Sequence, residues 1–205
     1  MYNCDEEEIV KFQADFDEDF DNVMLEIIGN CKRLYFLDSI GFGIKSRPSN
    51  SKFSRSVNLL PQNLTHIKFG FSFNQPVDNL PYNLTWLEFG FSFNQSVDML
   101  PNSITYLVFG DKFNQSVDNL ANCLEYINFG CEFNKSIDCL PESVFYVNIG
   151  TAINNLGSKF NLKIYNLPKK INNISIYKKK NFKPFKYVIK TDFINQLNEL
   201  IEQTK

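Results

Sequence analysis

Alanine, histidine and paired cysteine are what this chain has least of, and each shortage excludes a class of protein. Ala occurs only at Ala14, Ala121 and Ala152, against 21 Phe, which argues against a helical bundle, because Ala is the best helix former. His66 is the single histidine and has no Ser or Cys motif attached, so a hydrolytic triad lacks its base. The five cysteines (Cys4, Cys31, Cys123, Cys131, Cys139) are odd in number and contain no CxxC pair. That spacing fits neither a zinc site nor a disulfide framework, and it reads as a reduced, intracellular and cytoplasmic setting, a host cell included. No glycine-rich phosphate loop appears. The start, MYNCDEEEIV, has no basic stretch or apolar core, and no later run is long enough to span a bilayer. The expectation is therefore a protein that is not an enzyme, with no cofactor, no metal and no membrane contact.

Charge is scarce in total but strongly sorted. The formal net charge is −2, yet residues 1–30 hold ten carboxylates against one Lys, and residues 151–190 hold ten Lys and no acid. The molecule should be electrically polar along its length. That polarity permits head-to-tail self-association that weakens with salt.

What is present is a repeat. FSFNQPVDNLPYNLTWLEFG, from Phe71 to Gly90, is followed by FSFNQSVDMLPNSITYLVFG, and further copies begin at Ser51, Asp111 and Cys131. Self-similarity at a short fixed period marks a solenoid, in which each unit borrows its neighbour to bury an apolar face. The third position reads Phe53, Phe73, Phe93, Phe113, Phe133; the fourth reads Ser54, Asn74, Asn94, Asn114, Asn134. Leu87 and Phe89 alternate with Glu88 as in a strand, while Asp-x-Leu-Pro and the closing Gly punctuate turns. A handful of buried apolar columns contribute roughly 1.5–3 kcal/mol each, whereas ordering the unit costs about 1–2 kcal/mol per residue. A lone unit should be unfolded, and stacking makes it stable.

Units such as PQNLTHIKFGFSFNQPV and PYNLTWLEFGFSFNQSV resemble FNIP repeats, a family similar to the leucine-rich repeats and found mostly in amoebae and their large viruses. The resemblance covers residues 51–150, with Ala121 in place of the usual Pro and with Glu125 and Phe145 where the family has Thr. It implies a β-rich, leucine-rich-repeat-like, right-handed solenoid of about six to seven coils with a parallel strand face, and no assigned activity.

The flanks complete the domain reading. Residues 1–30 form an acidic helical cap, predicted from Ile9, Phe12, Phe16, Phe20, Val23 and Ile27 at helical spacing. Residues 31–50 hold an irregular first coil and loop, with Leu37, Ile40, Phe42 and Gly43 matching the end of a repeat. Residues 51–150 are five repeats. Residues 151–177 make a longer last coil through Leu167, Pro168, Ile171, Ile174 and Ile176, with its extra loop near Asn155–Asn161. Residues 178–205 are a basic segment and a second helical cap, with Phe193, Ile194, Leu197, Leu200 and Ile201 on one face and Thr191 or Asp192 as N-cap.

One outward column carries the candidate site. With Leu87 and Phe89 facing inward, His66, Trp86, Tyr106, Tyr126 and Tyr146 face out and form a ladder roughly 20 Å long. Stacking that stiffens the sheet is one account of it. A protein partner of unknown identity is the other, since exposed aromatics are enriched at binding hot spots. The next outward column begins with Lys68 and Glu88 and varies in chemistry. The Asn column should bond turn backbone between coils, and Asp78, Asp98, Asp118 and Asp138 should cap the Asp-x-Leu-Pro turn; calcium would need a glycine-rich pattern that is missing. The flanks offer two further uses. The stretch NVMLEIIGNCKRLYFLDSI, residues 22–40, resembles an F-box without its usual leading Leu-Pro, the adaptor motif of ubiquitin ligases carried by some FNIP-repeat proteins, and implies an adaptor role for residues 1–40. The segment YKKKNFKPFKYVIK interleaves Lys with aromatics as in nucleic-acid binders, but Lys also guards solvated edge strands, and the overall acidity points away from nucleic acid.

Overall fold

The computed structural model describes residues 2–5, 8–37, 51–150, 158–176, 185–187, 198–199 and 201–202. Its strands are β1 (Tyr2–Asp5), β2 (Ile9–Phe12), β3 (Arg33–Phe36), β4 (His66–Lys68), β5 (Trp86–Glu88), β6 (Tyr106–Val108), β7 (Tyr126–Phe129), β8 (Tyr146–Ile149), β9 (Asn173–Ile176) and β10 (Phe185–Tyr187), with one helix, α1 (Asn22–Ile28), between β2 and β3. They form a single sheet in chain order. Strands β2 to β9 are parallel, and β1 and β10 lie antiparallel at the two edges. This is the expected parallel-strand solenoid.

Each strand is short because only three or four residues per coil can alternate before a glycine turn. In β5, Leu87 is buried while Trp86 and Glu88 are half-buried on the other face. The connecting backbone carries the larger share of the core. Phe53, Phe73, Phe93, Phe113, Phe133 and Phe160 stack coil upon coil at 6.0–6.3 Å between ring centres. A second row, Phe36, Phe69, Phe89, Phe109 and Phe129, stacks at 5.6–5.7 Å. The two rows meet face to face within each coil, as Phe89 and Phe93 do at 3.7 Å. Such contacts contribute about 0.5–1.5 kcal/mol per pair beyond the area they bury.

The Phe row keeps an even spacing of 6.0–6.3 Å, whereas the rings of the strand face range from 6.1 to 4.3 Å.

Polar side chains bind coil to coil at fixed positions. Asn94, Asn114 and Asn134 each offer a backbone N–H to the Oδ1 of the Asn one coil earlier, at 2.8–2.9 Å, and Asn161 continues the row from Asn134 across the wider 27-residue interval. Asn thus does what the sequence suggests. The Asp column differs from expectation. Ser96 Oγ holds Asp98 by donating to its carboxylate and accepting its N–H, and Asp98 Oδ1 accepts instead from Asn119 of the following coil. The Ser two residues ahead supplies the local turn contact, which leaves the carboxylate free to reach onward. At Gly110 the coils approach so closely that a Cβ would land on the Gly90 carbonyl and the Phe91 backbone. Gly150 has φ +89°, a left-handed conformation that favours glycine.

The ends depart furthest from the sequence reading. The predicted N-terminal helix over residues 9–27 is not formed: β1 and β2 make an antiparallel pair, and α1 has seven residues, capped by Asp21 Oδ1 accepting from the Met24 N–H at 2.8 Å. Phe12, Phe16 and Phe20 are four residues apart, a spacing that suits a helix but equally suits a coil turning inward. They stack on the aromatic core, Phe12 on Phe36 at 5.2 Å and Phe16 on Phe53 at 5.6 Å. The segment is therefore a coil of the solenoid, with exposed Asp17 paired to Arg55 at 3.2 Å.

The first strand also shifts. Leu34 stands opposite Ile67, so Cys31, Leu34 and Phe36 occupy the columns assigned to Leu37, Ile40 and Phe42; Ile40, Phe42 and Gly43 lie outside the described residues. At the other end Val147 faces Ile174 and Ile149 faces Ile176, as the longer last coil requires. Of the second cap, Asn198, Glu199, Ile201 and Glu202 are helical. Asn198 clamps Ile164 through both its N–H and its carbonyl, each at 2.8 Å, and Ile201 is buried. Thr191 to Leu197 and Leu200 lie outside the described residues. The basic segment supplies the edge strand β10.

Candidate functional site

The strand face is built from alternation and register. Because Ile67, Leu87, Leu107, Ile127 and Val147 are buried, the residues on either side of each are turned outward. Register is held by direct pairing of His66 with Trp86, Trp86 with Tyr106, Tyr106 with Tyr126, and Tyr126 with Tyr146. All five rings are half-buried. Successive centres are 6.1, 5.5, 4.3 and 4.9 Å apart, with interplanar angles of 26° or less.

This geometry determines what the ladder can offer. Neighbouring rings occupy each other's faces, so the surface presents ring edges: the Tyr hydroxyls, the Trp86 indole edge and the His66 imidazole. Asn148 Nδ2 donates to the Tyr126 hydroxyl at 3.2 Å. Burial, followed by the Tyr106 phenol beside it, pushes the Tyr126 pKa up to about 12, so the Tyr126 phenol stays neutral at physiological pH. His66 Nδ1 lies 2.8 Å from Thr65 Oγ1, and burial together with the Arg33 charge lowers its pKa. Its surroundings disfavour the imidazolium.

Lys68 and Glu88 sit beside the ladder but face each other, Nζ to carboxylate at 2.6 Å. Each partly neutralises the other, so the acid and base expected on this face act as one dipolar pair. Register adds residues the sequence reading missed. Arg33 and Tyr35 extend the two outward columns, Tyr35 meeting Trp86 edge-on at 6.4 Å, and Asn173 and Ser175 extend them at the other end. The signal was the spacing of Cys31, Leu34 and Phe36, obscured because Cys stands where other coils have Leu.

Away from the strand face, an open depression of about 440 Å³ is lined by Ser136, Asp138, Asn161, Leu162, Lys163, Tyr165 and Glu202. Among the described residues no cluster of three or more His, Cys, Asp or Glu is placed to hold a metal ion. No helix among them is long and apolar enough to cross a membrane.

Residues 56–92 and 93–124 match the family model described as FNIP Repeat. These coils are FNIP repeats. The chain is also similar to CroV588, a circular leucine-rich-repeat protein of a giant virus, with 27% identity and a TM-score of 0.53. The alignment covers 87% of this chain and 32% of that one, so this chain spans about a third of that protein's length. No curated protein matches it. The likeness agrees with the parallel-strand coils, and it links the repeats to the leucine-rich-repeat architecture commonly used as a protein-interaction scaffold.

Proposed function

We propose that this chain is a non-catalytic scaffold whose FNIP strand face receives a protein partner. The observation that carries the reading is the in-register ladder of five half-exposed rings on the strand face. Inward packing does not require these rings, since the buried places are filled by Leu, Ile and Val. A partner element would lie along the ladder, contacting ring edges and accepting hydrogen bonds from Tyr hydroxyls. Aromatic anchors held rigid by their neighbours lose little entropy on binding.

Trp86 is the only tryptophan in the chain and stands within the ladder, so its emission reports occupancy of this face. The test captures partners on wild-type protein and on Trp86→Ala/Tyr106→Ala, identifies them by mass spectrometry, titrates each into wild type with Trp86 fluorescence as the readout, and compares affinities for both proteins by calorimetry. Partners that bind wild type, shift its emission and lose at least about tenfold in affinity with the double variant support the reading. Unchanged affinity for every partner would remove this face from consideration. An F-box-like use of residues 1–40 has no such support, because Ile28, Cys31, Leu34 and Phe36 are sealed in the solenoid core.

A further inference from the structure

The Asp-x-Leu-Pro turns form an edge of the solenoid distinct from the strand face, and one column within them alternates. The residue after the Asp position reads Leu59, Asn79, Met99, Asn119 and Cys139 in successive coils. The asparagines tie coil to coil: Asn79 Nδ2 donates to Asn58 Oδ1 at 3.4 Å, and Asn119 Nδ2 donates to Asp98 Oδ1 at 3.2 Å. Met99 forfeits that bond. It stands where an Asn would reach Asp78, and Pro76 replaces the Ser whose hydroxyl holds Asp98, Asp118 and Asp138. The exposed Asp78 carboxylate therefore receives no hydrogen bond or ion pair from a described residue.

Around that carboxylate the edge is apolar. Leu59, Tyr82 and Met99 lie in three successive coils and are 65%, 68% and 66% exposed, so the core gains little from them. Stacking at strand spacing puts Leu59 and Met99 about 10 Å apart. Tyr82 stands on the coil between them, its backbone N–H donating to Gln62 Oε1 of the preceding coil at 3.3 Å. Exposed apolar groups gathered in one place mark interaction sites, and charge states what covers this one. Residues 58–63, 78–83, 98–103, 118–123 and 138–143 carry Asp78, Asp98, Asp118, Asp138 and Glu142 and no Lys or Arg. Arg55, three residues before this edge begins, is held by Asp17 at 3.2 Å. Such a surface repels nucleic acid and anionic lipid and attracts cations. We infer that it docks a basic segment of a protein partner, with a Lys or Arg paired to Asp78 and flanking apolar side chains covering Leu59, Tyr82 and Met99. This goes beyond the strand-face reading and does not rest on it.

A library of random peptides displayed on phage and selected on the full chain tests this. Enriched peptides, synthesised and titrated by calorimetry, should carry Lys or Arg beside Leu, Phe, Met or Trp. They should lose at least about tenfold in affinity for Asp78→Asn and for Met99→Asn, and keep it for Trp86→Ala/Tyr106→Ala. Met99→Asn also controls for folding, because its amide should reach Asp78 as Asn119 reaches Asp98, so its urea midpoint should equal or exceed that of wild type. A selection that enriches nothing, peptides without a basic residue, or affinities that neither Asp78→Asn nor Met99→Asn changes would each overturn the proposal. So would a Met99→Asn variant less stable than wild type. Peptides lost only with Trp86→Ala/Tyr106→Ala would overturn it while leaving the strand-face reading standing.

Discussion

Replacing Gly110 with Ala sets two physical effects against each other with opposite signs. Gly110 is not in the left-handed region; among the described residues Gly150 is the glycine with a positive φ. On chain entropy alone, Ala would restrict the unfolded state and stabilise the protein by about 0.4–1 kcal/mol. The structure predicts the reverse, because the new Cβ would fall on the Gly90 carbonyl and on Phe91 Cα. These are backbone atoms and cannot rotate away. The coils would have to separate, stretching the Asn94–Asn114 bond of 2.9 Å and the Phe89–Phe109 stack of 5.7 Å. Overpacking of this kind costs about 1–3 kcal/mol, so the net effect should be a loss of about 1–3 kcal/mol. For a chain of this size that lowers Tm by roughly 2–4 °C per kcal/mol. Equilibrium urea unfolding followed by circular dichroism would measure it. A Gly110→Ala variant as stable as wild type, or more stable, would refute the close backbone approach between these coils.

Three further outcomes follow from the same contacts. Phe113→Ala, which removes a buried ring stacked on Phe93, Phe109 and Phe133, should lose about 3–5 kcal/mol in urea unfolding; a loss below about 1 kcal/mol would show that the rows are not the core. Asn94→Ala should cost about 1–2 kcal/mol by leaving the Asn114 N–H without its acceptor, and Asn94→Asp, which keeps that oxygen, should recover most of it. The lowered pKa of His66 means the folded state disfavours its protonation: the stability this histidine contributes is present above its unfolded value near 6.5 and is lost as pH falls through the lower folded value. Thermal melts between pH 8 and pH 5 should therefore show wild type losing more stability on acidification than His66→Gln, and equal losses would refute the coupling.

Repetition made the middle of this protein legible. Five near-copies place Phe93, Asn94, Leu107 and Gly110 in columns, and a column has one mutually consistent stacking, in register, with Leu87 and Leu107 inward and Trp86 and Tyr106 outward. The sequence alone therefore determined the strand face, the site column and the Asn row. Tertiary structure decided the ends. Phe12, Phe16 and Phe20 at four-residue intervals fit a helix and a coil equally well, and only the Phe36 and Phe53 rings waiting in the adjacent coils favoured the coil. Cys31-Leu34-Phe36 and Leu37-Ile40-Phe42 offered competing strand positions, and the choice rested on which let an aromatic ring join the stack on Phe69. Nor could the pattern say that Lys68 and Glu88 satisfy each other, or that the rings display edges instead of faces. Those facts depend on distances between coils, and the coil spacing is set by how the Phe rows pack, which no single repeat encodes.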